Sequence, residues 1–280
     1  MRVAMSPPDF FSIDYVINPW MDPAAWQHDA AQLAGDAKAG WREMKALYEK
    51  LGASVEVQRP KAGLPDLVFT ANSAVVLDGI VLLARFRFPE RQGEEQENMA
   101  FFQRLRRQYA VQRIITMPEG VFFEGAGDAI WDLTRQSFWT GYGPRSSLQA
   151  SAVIARTYGK PVHPLKLVDP RFYHLDTCLC VLPGGEALHF PAAFDADGRS
   201  LLQKHFGKDL IEVPEADALK LAANAFPITP NDVVFGSCST ALEGQLNERG
   251  YIVHRVNLGS FARSGGSAFC LTLTLDARSA

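Results

Sequence analysis

One pattern of apolar and polar positions recurs along the chain: an amphipathic helix, a glycine, and a short apolar strand. Glycine directly after a helix is a common C-cap because it enters the left-handed backbone region without a steric penalty. We predict five such helix–strand pairs, the second of them without the glycine. The predicted pairs are Trp41–Leu51 with Ser54–Val57, Met99–Tyr109 with Val111–Ile115, Ala150–Tyr158 with Val162–Val168, a helix ending at Phe206 with Leu210–Val213, and Leu242–Arg249 with Tyr251–Val256.

The spacing of these pairs indicates a repeat architecture. Successive helix-to-strand junctions recur at roughly 45 to 60 residues, a period typical of repeated structural units. Further apolar segments supply additional strands between the helices: Leu67–Leu77, Ile80–Phe86, Leu179–Leu182 and Val233–Phe235. We therefore predict an α/β fold of five units arranged radially. The alternative is an ordinary α/β domain in which the pattern recurs by chance.

Composition narrows the class of protein. No low-complexity linker interrupts the 280 residues, so we predict a single domain spanning residues 1–280. Hydrophobic residues at 47% and charged residues at 21% are ordinary for a globular protein and sufficient for a core. The formal net charge of −3 gives no reason to expect a nucleic-acid partner.

The chain also lacks the signals of membrane insertion and secretion. No apolar run approaches the roughly 18 residues that a membrane-spanning helix needs, so we expect no membrane partner. The N-terminus has no apolar stretch followed by a small-residue cleavage site. Four cysteines without a paired framework fit a reducing compartment. We predict a cytoplasmic protein.

Cys270 is the main candidate for covalent chemistry. It follows the glycine-rich turn Arg263–Ser267 and opens a predicted strand, Cys270–Leu275. We expect the glycines to permit close approach and to keep one side of the thiol open. The alternative is that a cysteine packs as a small hydrophobic residue. That is what we expect of the other three, Cys178, Cys180 and Cys238.

A histidine and several acids could complete a site around that thiol. A predicted strand places His174 and Asp176 on one face, two residues apart. Asp66, Glu124 and Asp128 lie in apolar or glycine-rich segments. Buried carboxylates are rare unless they are paired, so these acids require a positive partner. Each residue alone also fits a core histidine or a solvated turn acid, but together they indicate covalent chemistry on a small cation.

A metal site is the competing interpretation of the middle segment. Four potential ligands alternate on one predicted strand face, namely His174, Asp176, Cys178 and Cys180. Structural zinc sites gather their ligands from separate turns, and a straight row spans too far to close one tetrahedron. We therefore expect no metal, and the proposed chemistry requires no organic cofactor.

Five motifs together resemble the guanidine-modifying enzymes. That superfamily includes arginine deiminases, arginine dihydrolases, dimethylarginine dimethylaminohydrolases and amidinotransferases. The motifs follow the family's order across nearly the whole chain: Phe69–Asn72, Phe123–Asp128, Gly141–Ser146, Phe172–Thr177 and the segment 265–270. The resemblance implies the pentein fold, an α/β propeller of five ββαβ units, which agrees with the repeat described above.

The resemblance also implies a role for each candidate residue. By this likeness, Cys270 is the nucleophile, His174 the general acid and base, and Glu124 the carboxylate partner of His174. The implied substrate contacts are Asp66, Asp128 and Asp176 to guanidinium nitrogens, Arg91 and Arg145 to the α-carboxylate, and Asn18 at the substrate-facing rim. From the residues alone, the alternative for Arg91 is a surface charge.

Asn72 separates the reactions within this superfamily. Deiminases and dimethylarginine dimethylaminohydrolases usually have aspartate at this position, whereas arginine dihydrolases resemble this chain in having asparagine. Asparagine both donates and accepts hydrogen bonds, so it could hold a guanidinium first and the carbonyl of a citrulline-like ureido group afterwards. Arginine dihydrolases convert arginine to ornithine with release of ammonia and carbon dioxide.

The function implied by the resemblance is hydrolysis of a guanidino substrate, arginine or a close derivative. It would proceed through a covalent S-alkylthiouronium intermediate and release ammonia. The alternatives are hydrolysis of dimethylarginine, amidino transfer to an amine, and a non-catalytic binding module of the same fold. The family also suggests a homodimer.

Overall fold

In a computed structural model that describes residues 1–108 and 111–280, the chain forms five three-stranded sheets. In each sheet one strand pair is antiparallel and the other is parallel. The strands in chain order are β1 Arg2–Met5, β2 Ser54–Val57, β3 Ala74–Leu77, β4 Ile80–Leu83, β5 Arg113–Thr116, β6 Ala129–Asp132, β7 Ser137–Tyr142, β8 Val162–Lys166, β9 Leu179–Val181, β10 Ala187–His189, β11 Leu210–Glu212, β12 Phe226–Pro227, β13 Asp232–Phe235, β14 Ile252–Arg255 and β15 Leu273–Thr274.

The helices of the described residues lie between these strands. They are α1 Pro23–His28, α2 Ala30–Lys50, α3 Pro89–Gln92, α4 Glu94–Gln108, α5 Leu148–Tyr158, α6 Ala196–Phe206, α7 Glu215–Ala218, α8 Thr240–Asn247 and α9 Gly259–Ala262. Three of them begin with a side chain that accepts from a first-turn N–H, which satisfies an otherwise unpaired donor: Asp22, Asp195 and Ser239. Within this part of the chain, no helix combines the length and apolar character needed to cross a membrane.

The same connection is used in every sheet. A helix of eight residues or more carries the chain from the middle strand to a parallel outer strand, as α4 does between β4 and β5. The first sheet is completed from the far end of the chain, because β15 pairs antiparallel with β1 through Ala4 and Leu273. This pairing brings the segment that contains Cys270 beside the N-terminal sheet.

The five predicted helix–strand pairs each correspond to a helix and a strand. The four glycines after the helices have positive φ, as a C-cap requires: Gly52 (88°), Gly159 (64°), Gly207 (55°) and Gly250 (87°). The four helices with a predicted start all begin earlier than predicted, α2 at Ala30, α4 at Glu94, α5 at Leu148 and α8 at Thr240. The first turns of α2 and α4 lack an apolar stripe, because that of α2 is mostly exposed and that of α4 is made of polar residues. Tyr109, the predicted end of the second helix, lies outside the described residues.

Three predicted strands are wrong at residues of functional interest. In the predicted strand Leu67–Leu77, only Ala74–Leu77 form a strand, and Asn72 lies in the 3₁₀ turn Thr70–Ser73. Cys270 lies in a turn, and the strand that follows is only Leu273–Thr274. His174 and Asp176 do not share a strand face, because Leu175–Thr177 form a 3₁₀ turn. Alternation of apolar and polar residues over a few positions does not distinguish a strand from such tight turns.

The inner strands β3, β6, β9, β12 and β15 line a common, largely apolar cavity of about 480 Å³. Its walls include Val75, Trp131, Val181, Phe226 and Leu273, one residue from each inner strand. The inner strands therefore surround one axis, which confirms the radial α/β arrangement of five units. The single-domain span of residues 1–280 stays a prediction.

Candidate active site

The segments directly before the five inner strands bury polar side chains beside one another. Each segment supplies at least one such residue, and none of the seven is more than 2% exposed. They are Asn72 before β3, Glu124 and Asp128 before β6, His174 and Asp176 before β9, Asn224 before β12, and Cys270 before β15. The repeat thus gathers residues that are far apart in the sequence into a single site.

The Cys270 thiol lies between two polar groups. Its Sγ donates to Oδ2 of Asp176 at 3.1 Å and accepts from Nδ2 of Asn224 at 3.2 Å. The expectation that the glycine-rich turn keeps one side of the thiol open is wrong. A Cβ on Gly265, whose φ is 82°, would lie 2.8 Å from ring atoms of both Trp20 and Tyr173. Glycine allows this close packing, and Cys270 itself is only 2% exposed.

Burial favours the protonated forms of both Cys270 and Asp176. It raises the pKa of the Cys270 thiol well above its ordinary value, and the nearby Asp176 adds to the effect. Burial also raises the pKa of Asp176 to about 7, although hydrogen bonds from Cys270 and Asn224 oppose the rise. The thiol of the free protein is therefore protonated. A positive charge beside the pair would favour the thiolate.

Glu124 lies between a histidine and an arginine. Its Oε2 accepts from Nε2 of His174 at 2.7 Å and from Nη1 of Arg145 at 2.9 Å. Burial alone would raise the pKa of Glu124, but the Arg145 guanidinium and the His174 hydrogen bond outweigh it and hold the pKa well below its ordinary value. The expected contact between Glu124 and His174 is therefore present, with the carboxylate ionised.

The ionised Glu124 fixes the tautomer of His174. A carboxylate can only accept, so Nε2 carries the proton and Nδ1 is the basic nitrogen. Nδ1 has no hydrogen-bond partner among the described residues. Burial lowers the pKa of His174 to about 4 despite the hydrogen bond to Glu124. The ring is therefore neutral at pH 7 and able to accept a proton.

Arg91 is buried, which excludes a surface charge. Its Nε and Nη2 donate to the two carboxylate oxygens of Glu94 at 2.7 and 2.9 Å. Its Nη1 donates to Oδ1 of Asn72 at 3.0 Å, and Nη2 also donates to the backbone oxygen of Asp66 at 3.2 Å. Most of the donors of Arg91 are thus engaged by the protein itself.

Arg145 is held differently and keeps a free donor. Besides its contact with Glu124, its Nη2 donates to the backbone oxygen of Ile17 at 3.1 Å. Its guanidinium lies 4.8 Å from the ring centre of Phe88 and 4.6 Å from that of Tyr173, which positions the flat group by cation–π attraction. Nε has no partner in the part of the chain that the structure describes.

Asp66 is close to the same arginine pair. Its Oδ2 accepts from the hydroxyl of Tyr15 at 2.9 Å and lies 3.9 Å from Nε of Arg91. Burial raises the pKa of Asp66, although the Arg91 guanidinium opposes the rise.

Two other predicted substrate contacts are engaged in holding loops. Oδ2 of Asp128 accepts from the Ser146 hydroxyl at 2.6 Å and Oδ1 from the Leu175 N–H at 3.0 Å. Nδ2 of Asn18 donates to the backbone oxygen of Ser264 at 3.1 Å, and Oδ1 accepts from the backbone N–H two residues on at 2.9 Å. Both side chains connect segments that surround the site.

The close approach of Asn72 and Asp176 to Gly127 shows that the residues around Arg91 and the residues around Cys270 border one space. A Cβ on Gly127 would collide with Nδ2 of Asn72 and would lie 3.7 Å from Oδ2 of Asp176. The residue that contacts Arg91 and the residue that contacts Cys270 therefore face the same point. Three buried acceptors of the site lack a donor within residues 1–108 and 111–280: Oδ1 of Asp66, Nδ1 of His174 and Oδ1 of Asp176. Unpaired acceptors of this kind suit a ligand that carries several N–H groups.

Sequence reasoning missed three residues of the site. Asn224 contacts the thiol, Glu94 holds Arg91, and Tyr15 donates to Asp66. Asn224 stands alone in a buried alanine run, two residues before an inner strand, which is also the position of Asn72 in its own unit. That equivalence is the one signal that could have found it.

The cysteines and acids of the middle segment do not form a metal site. No group of three or more His, Cys, Asp or Glu side chains in the described residues is arranged to hold a metal ion. Cys178, Cys180 and Cys238 pack in one hydrophobic cluster with side chains such as Phe172 and Leu188. The prediction that these three cysteines are core residues is confirmed.

Comparison with known proteins gives the same family as the motifs. A family model described as N,N dimethylarginine dimethylhydrolase, eukaryotic, matches residues 16–276. The chain is 39% identical over 275 residues to the bifunctional arginine dihydrolase/ornithine cyclodeaminase ArgZ of Synechocystis sp., which covers 98% of this chain and 37% of that protein. It is 37% identical over 274 residues to N(G),N(G)-dimethylarginine dimethylaminohydrolase of Mycobacterium tuberculosis, with 98% of this chain and 85% of that protein covered.

Solved structures agree. Two crystal structures of the N-terminal domain of ArgZ each give a TM-score of 0.89 at 37% identity, over 99% of this chain and 98% of theirs. One is a cysteine-to-serine variant bound to substrate, and the other is an asparagine-to-serine variant covalently bound to a reaction intermediate. The chain therefore belongs to the pentein-fold, guanidine-modifying family that includes the arginine dihydrolases and dimethylarginine dimethylaminohydrolases.

Proposed function

We propose that the protein is a cysteine-dependent hydrolase of a guanidino substrate, with arginine as the substrate and ammonia as a product. The observation that carries the proposal is the contact of 3.1 Å between the Cys270 thiol and Asp176, inside a buried site whose acceptors lack donors. A guanidinium supplies both missing elements, since it carries a positive charge and several N–H groups. Family membership and the arginine dihydrolase name of ArgZ support the same chemistry.

Substrate binding activates the nucleophile in this proposal. Asp176 and Asp66 accept from guanidinium nitrogens, and the bound charge lowers the pKa of the thiol beside it. Asn72 faces the same space through its second amide hydrogen. Asp128 acts indirectly, because its two oxygens hold the loops that carry Ser146 and Leu175.

The covalent cycle then needs one group that both accepts and donates a proton. Nδ1 of His174 takes the thiol proton, Sγ of Cys270 bonds to the guanidinium carbon, and the protonated ring returns the proton to the departing ammonia. Water next attacks the S-alkylthiouronium carbon and gives a proton to Nδ1. The carbon–sulfur bond breaks, the thiol is restored, and citrulline results. Glu124 keeps the ring in this tautomer throughout.

We further propose that the reaction continues to ornithine. Hydrolysis of the citrulline ureido group consumes a second water and releases ornithine, ammonia and carbon dioxide. Asn72 supports this step because an amide can donate to a ureido carbonyl, whereas an aspartate cannot. The ArgZ structure in which an asparagine-to-serine variant is covalently bound to an intermediate supports a role for such an amide in turnover.

The other end of the substrate is assigned to the arginines. Arg145 is the stronger anchor for an α-carboxylate, because its Nε is unpartnered and its plane is held by two aromatic rings. Arg91 contributes its charge, and Asn18 holds the rim segment beside Ser264.

A second candidate is hydrolysis of dimethylarginine, favoured by the matching family model and by the Mycobacterium tuberculosis relative. Incubation with arginine, Nω,Nω-dimethylarginine and agmatine, followed by identification of the products, separates the possibilities. Ornithine and ammonia from arginine support the dihydrolase proposal. Citrulline as the sole end product indicates a deiminase, and dimethylamine from the methylated substrate indicates the second candidate. No turnover of any of the three contradicts both.

The proposal includes a compartment and an assembly. Four free cysteines, one of them the nucleophile, favour a reducing compartment such as the cytoplasm. We propose a homodimer, which size-exclusion chromatography with light scattering would test.

A further inference from the structure

We propose that Asn224 is a positioning residue that aims the Cys270 sulfur and stabilises its thiolate through an amide hydrogen bond. This inference rests on the proposed role of Cys270 as the nucleophile. It adds a fifth segment to the site, so that each of the five repeats contributes a side chain from just before its inner strand.

The geometry connects every polar atom of the Asn224 side chain to the nucleophile or its immediate surroundings. Nδ2 donates to Sγ of Cys270 at 3.2 Å and to the backbone oxygen of Asp176 at 2.9 Å. Oδ1 accepts from the backbone N–H of Ser267 at 2.8 Å and from that of Cys270 at 3.2 Å. The side chain has no exposed surface.

These contacts fix the thiol, the turn that carries it and the acid beside it. The two backbone contacts fix the ends of the Ser267–Cys270 turn, and the contact with Asp176 fixes the acid that accepts from the thiol. The orientation of Asn224 is itself determined, because an exchange of its amide oxygen and nitrogen would face two N–H groups with a donor. A residue needed only to fill space would not require this set of donors and acceptors.

Two hydrogen-bond donors favour the thiolate in the free protein, the Ser267 backbone N–H and, to a smaller extent, the Asn224 amide. The charge of Asp176 opposes ionisation of the thiol, and the charge of an ionised Cys270 in turn raises the pKa of the nearby Tyr173. A hydrogen bond from Asn224 works in the other direction, since a donor stabilises the anion more than the neutral thiol. Loss of the donor should therefore make the thiolate harder to form.

The test measures the pH at which Cys270 becomes reactive, with iodoacetamide as the probe and no substrate present. Asn224→Leu keeps the branched shape without polar atoms, and Asn224→Ala serves if the first variant does not fold. We expect the midpoint of the alkylation profile to rise by about one pH unit, because hydrogen bonds to charged groups are of that strength. With arginine as substrate, kcat should fall about tenfold while KM changes little.

Asn98→Leu is the matched control. Asn98 is also buried, but it lies in α4 and accepts a hydrogen bond from Gln58 instead of contacting Cys270. Its profile should match the wild type. Asn224→Asp adds a charge that raises the midpoint by itself, so a rise in Asn224→Asp alone overturns the proposal, as does an unchanged midpoint in both neutral variants. Because alkylation needs no turnover, failure of the proposed arginine hydrolysis would appear separately, as an inactive wild type.

Discussion

The two sides of the site bury carboxylates equally but treat them in opposite ways. On one side, Glu124 contacts Arg145 and His174, and its pKa lies well below the ordinary value. On the other side, Asp176 contacts Cys270, makes no ion pair within the described residues, and has its pKa raised to about 7. Burial alone raises the pKa in both places, so the contacts of Glu124 with Arg145 and His174 account for the difference.

The difference assigns a task to each side. On the Glu124 side, Arg145 neutralises the carboxylate, so Glu124 can hold His174 in one tautomer without a ligand. On the Cys270 side, no cation of the described residues is paired with Asp176. In the proposed mechanism, a cationic substrate supplies the missing charge beside Cys270 and leaves the Glu124 side unchanged, so the charge of the substrate favours the thiolate.

The largest effect should come from replacing the proposed nucleophile. Cys270→Ser should lower kcat by a factor on the order of 10⁴ or more, because a serine hydroxyl is not ionised by a neighbouring guanidinium. The measurement is steady-state ammonia release. Cys238→Ser, at another buried cysteine, is the control and should retain activity. Comparable rates in the two variants would remove Cys270 from the mechanism.

Removing the base His174 on the Glu124 side should have the next largest effect. His174→Gln keeps an N–H for Glu124 but removes the basic Nδ1, so kcat should fall by about 10² to 10⁴. Single-turnover assays should show product formation slowed by the same factor. His189→Gln is the control, since His189 is also a buried histidine whose Nδ1 contacts a backbone oxygen. Equal losses in the two variants would indicate general destabilisation.

On the Cys270 side, titration of Asp176 should make the KM for arginine depend on pH. A protonated Asp176 attracts a guanidinium less, so the KM for arginine should rise as the pH falls below about 7, by roughly tenfold per unit at the limit. KM measured between pH 5 and 8 would show this as a slope. The variant Asp176→Asn should have a high KM at every pH, and a slope that survives in this variant would assign the titration to another group.

Asp176→Asn should also separate thiol reactivity from turnover. Asp176 raises the pKa of Cys270 in the free protein, so its removal should increase the rate of alkylation at neutral pH while arginine hydrolysis declines. Iodoacetamide labelling and ammonia release on the same sample check both halves. Parallel loss of reactivity and turnover would contradict the charge argument.

The smallest change in overall rate should accompany the largest change in product. Asn72→Asp removes the donor proposed for the ureido carbonyl, so citrulline should accumulate at the expense of ornithine. Chromatography of the amino-acid products gives the ratio directly. An unaltered ratio would remove Asn72 as the residue that separates dihydrolase from deiminase.

Local signals made much of the fold predictable. The glycine C-caps at Gly52, Gly159, Gly207 and Gly250 depend on backbone conformation at one residue, so the sequence displays them directly. The short strand around Cys270 was wrong because its turn is fixed by contacts with Asn224 and Trp20, which lie far away in the sequence.

The site was predictable in its reactive groups and less so in its supports. Cysteine, histidine and buried acids are conspicuous in apolar segments, whereas Asn224 looks like any polar residue in an alanine run. The engagement of Asp128 with Ser146 and Leu175 likewise depends on how three loops meet. Such partnerships arise from tertiary packing, and no local pattern carries them.

The most direct test of the account is the pH midpoint of Cys270 thiolate formation with and without a bound cation. Thiolate absorbance of the wild-type protein can be titrated in millimolar, non-denaturing guanidinium chloride and in sodium chloride of equal ionic strength, with Cys270→Ser as the blank. The account predicts a lower midpoint with guanidinium. An equal or higher midpoint would contradict the claim that the substrate's charge completes the Cys270 side.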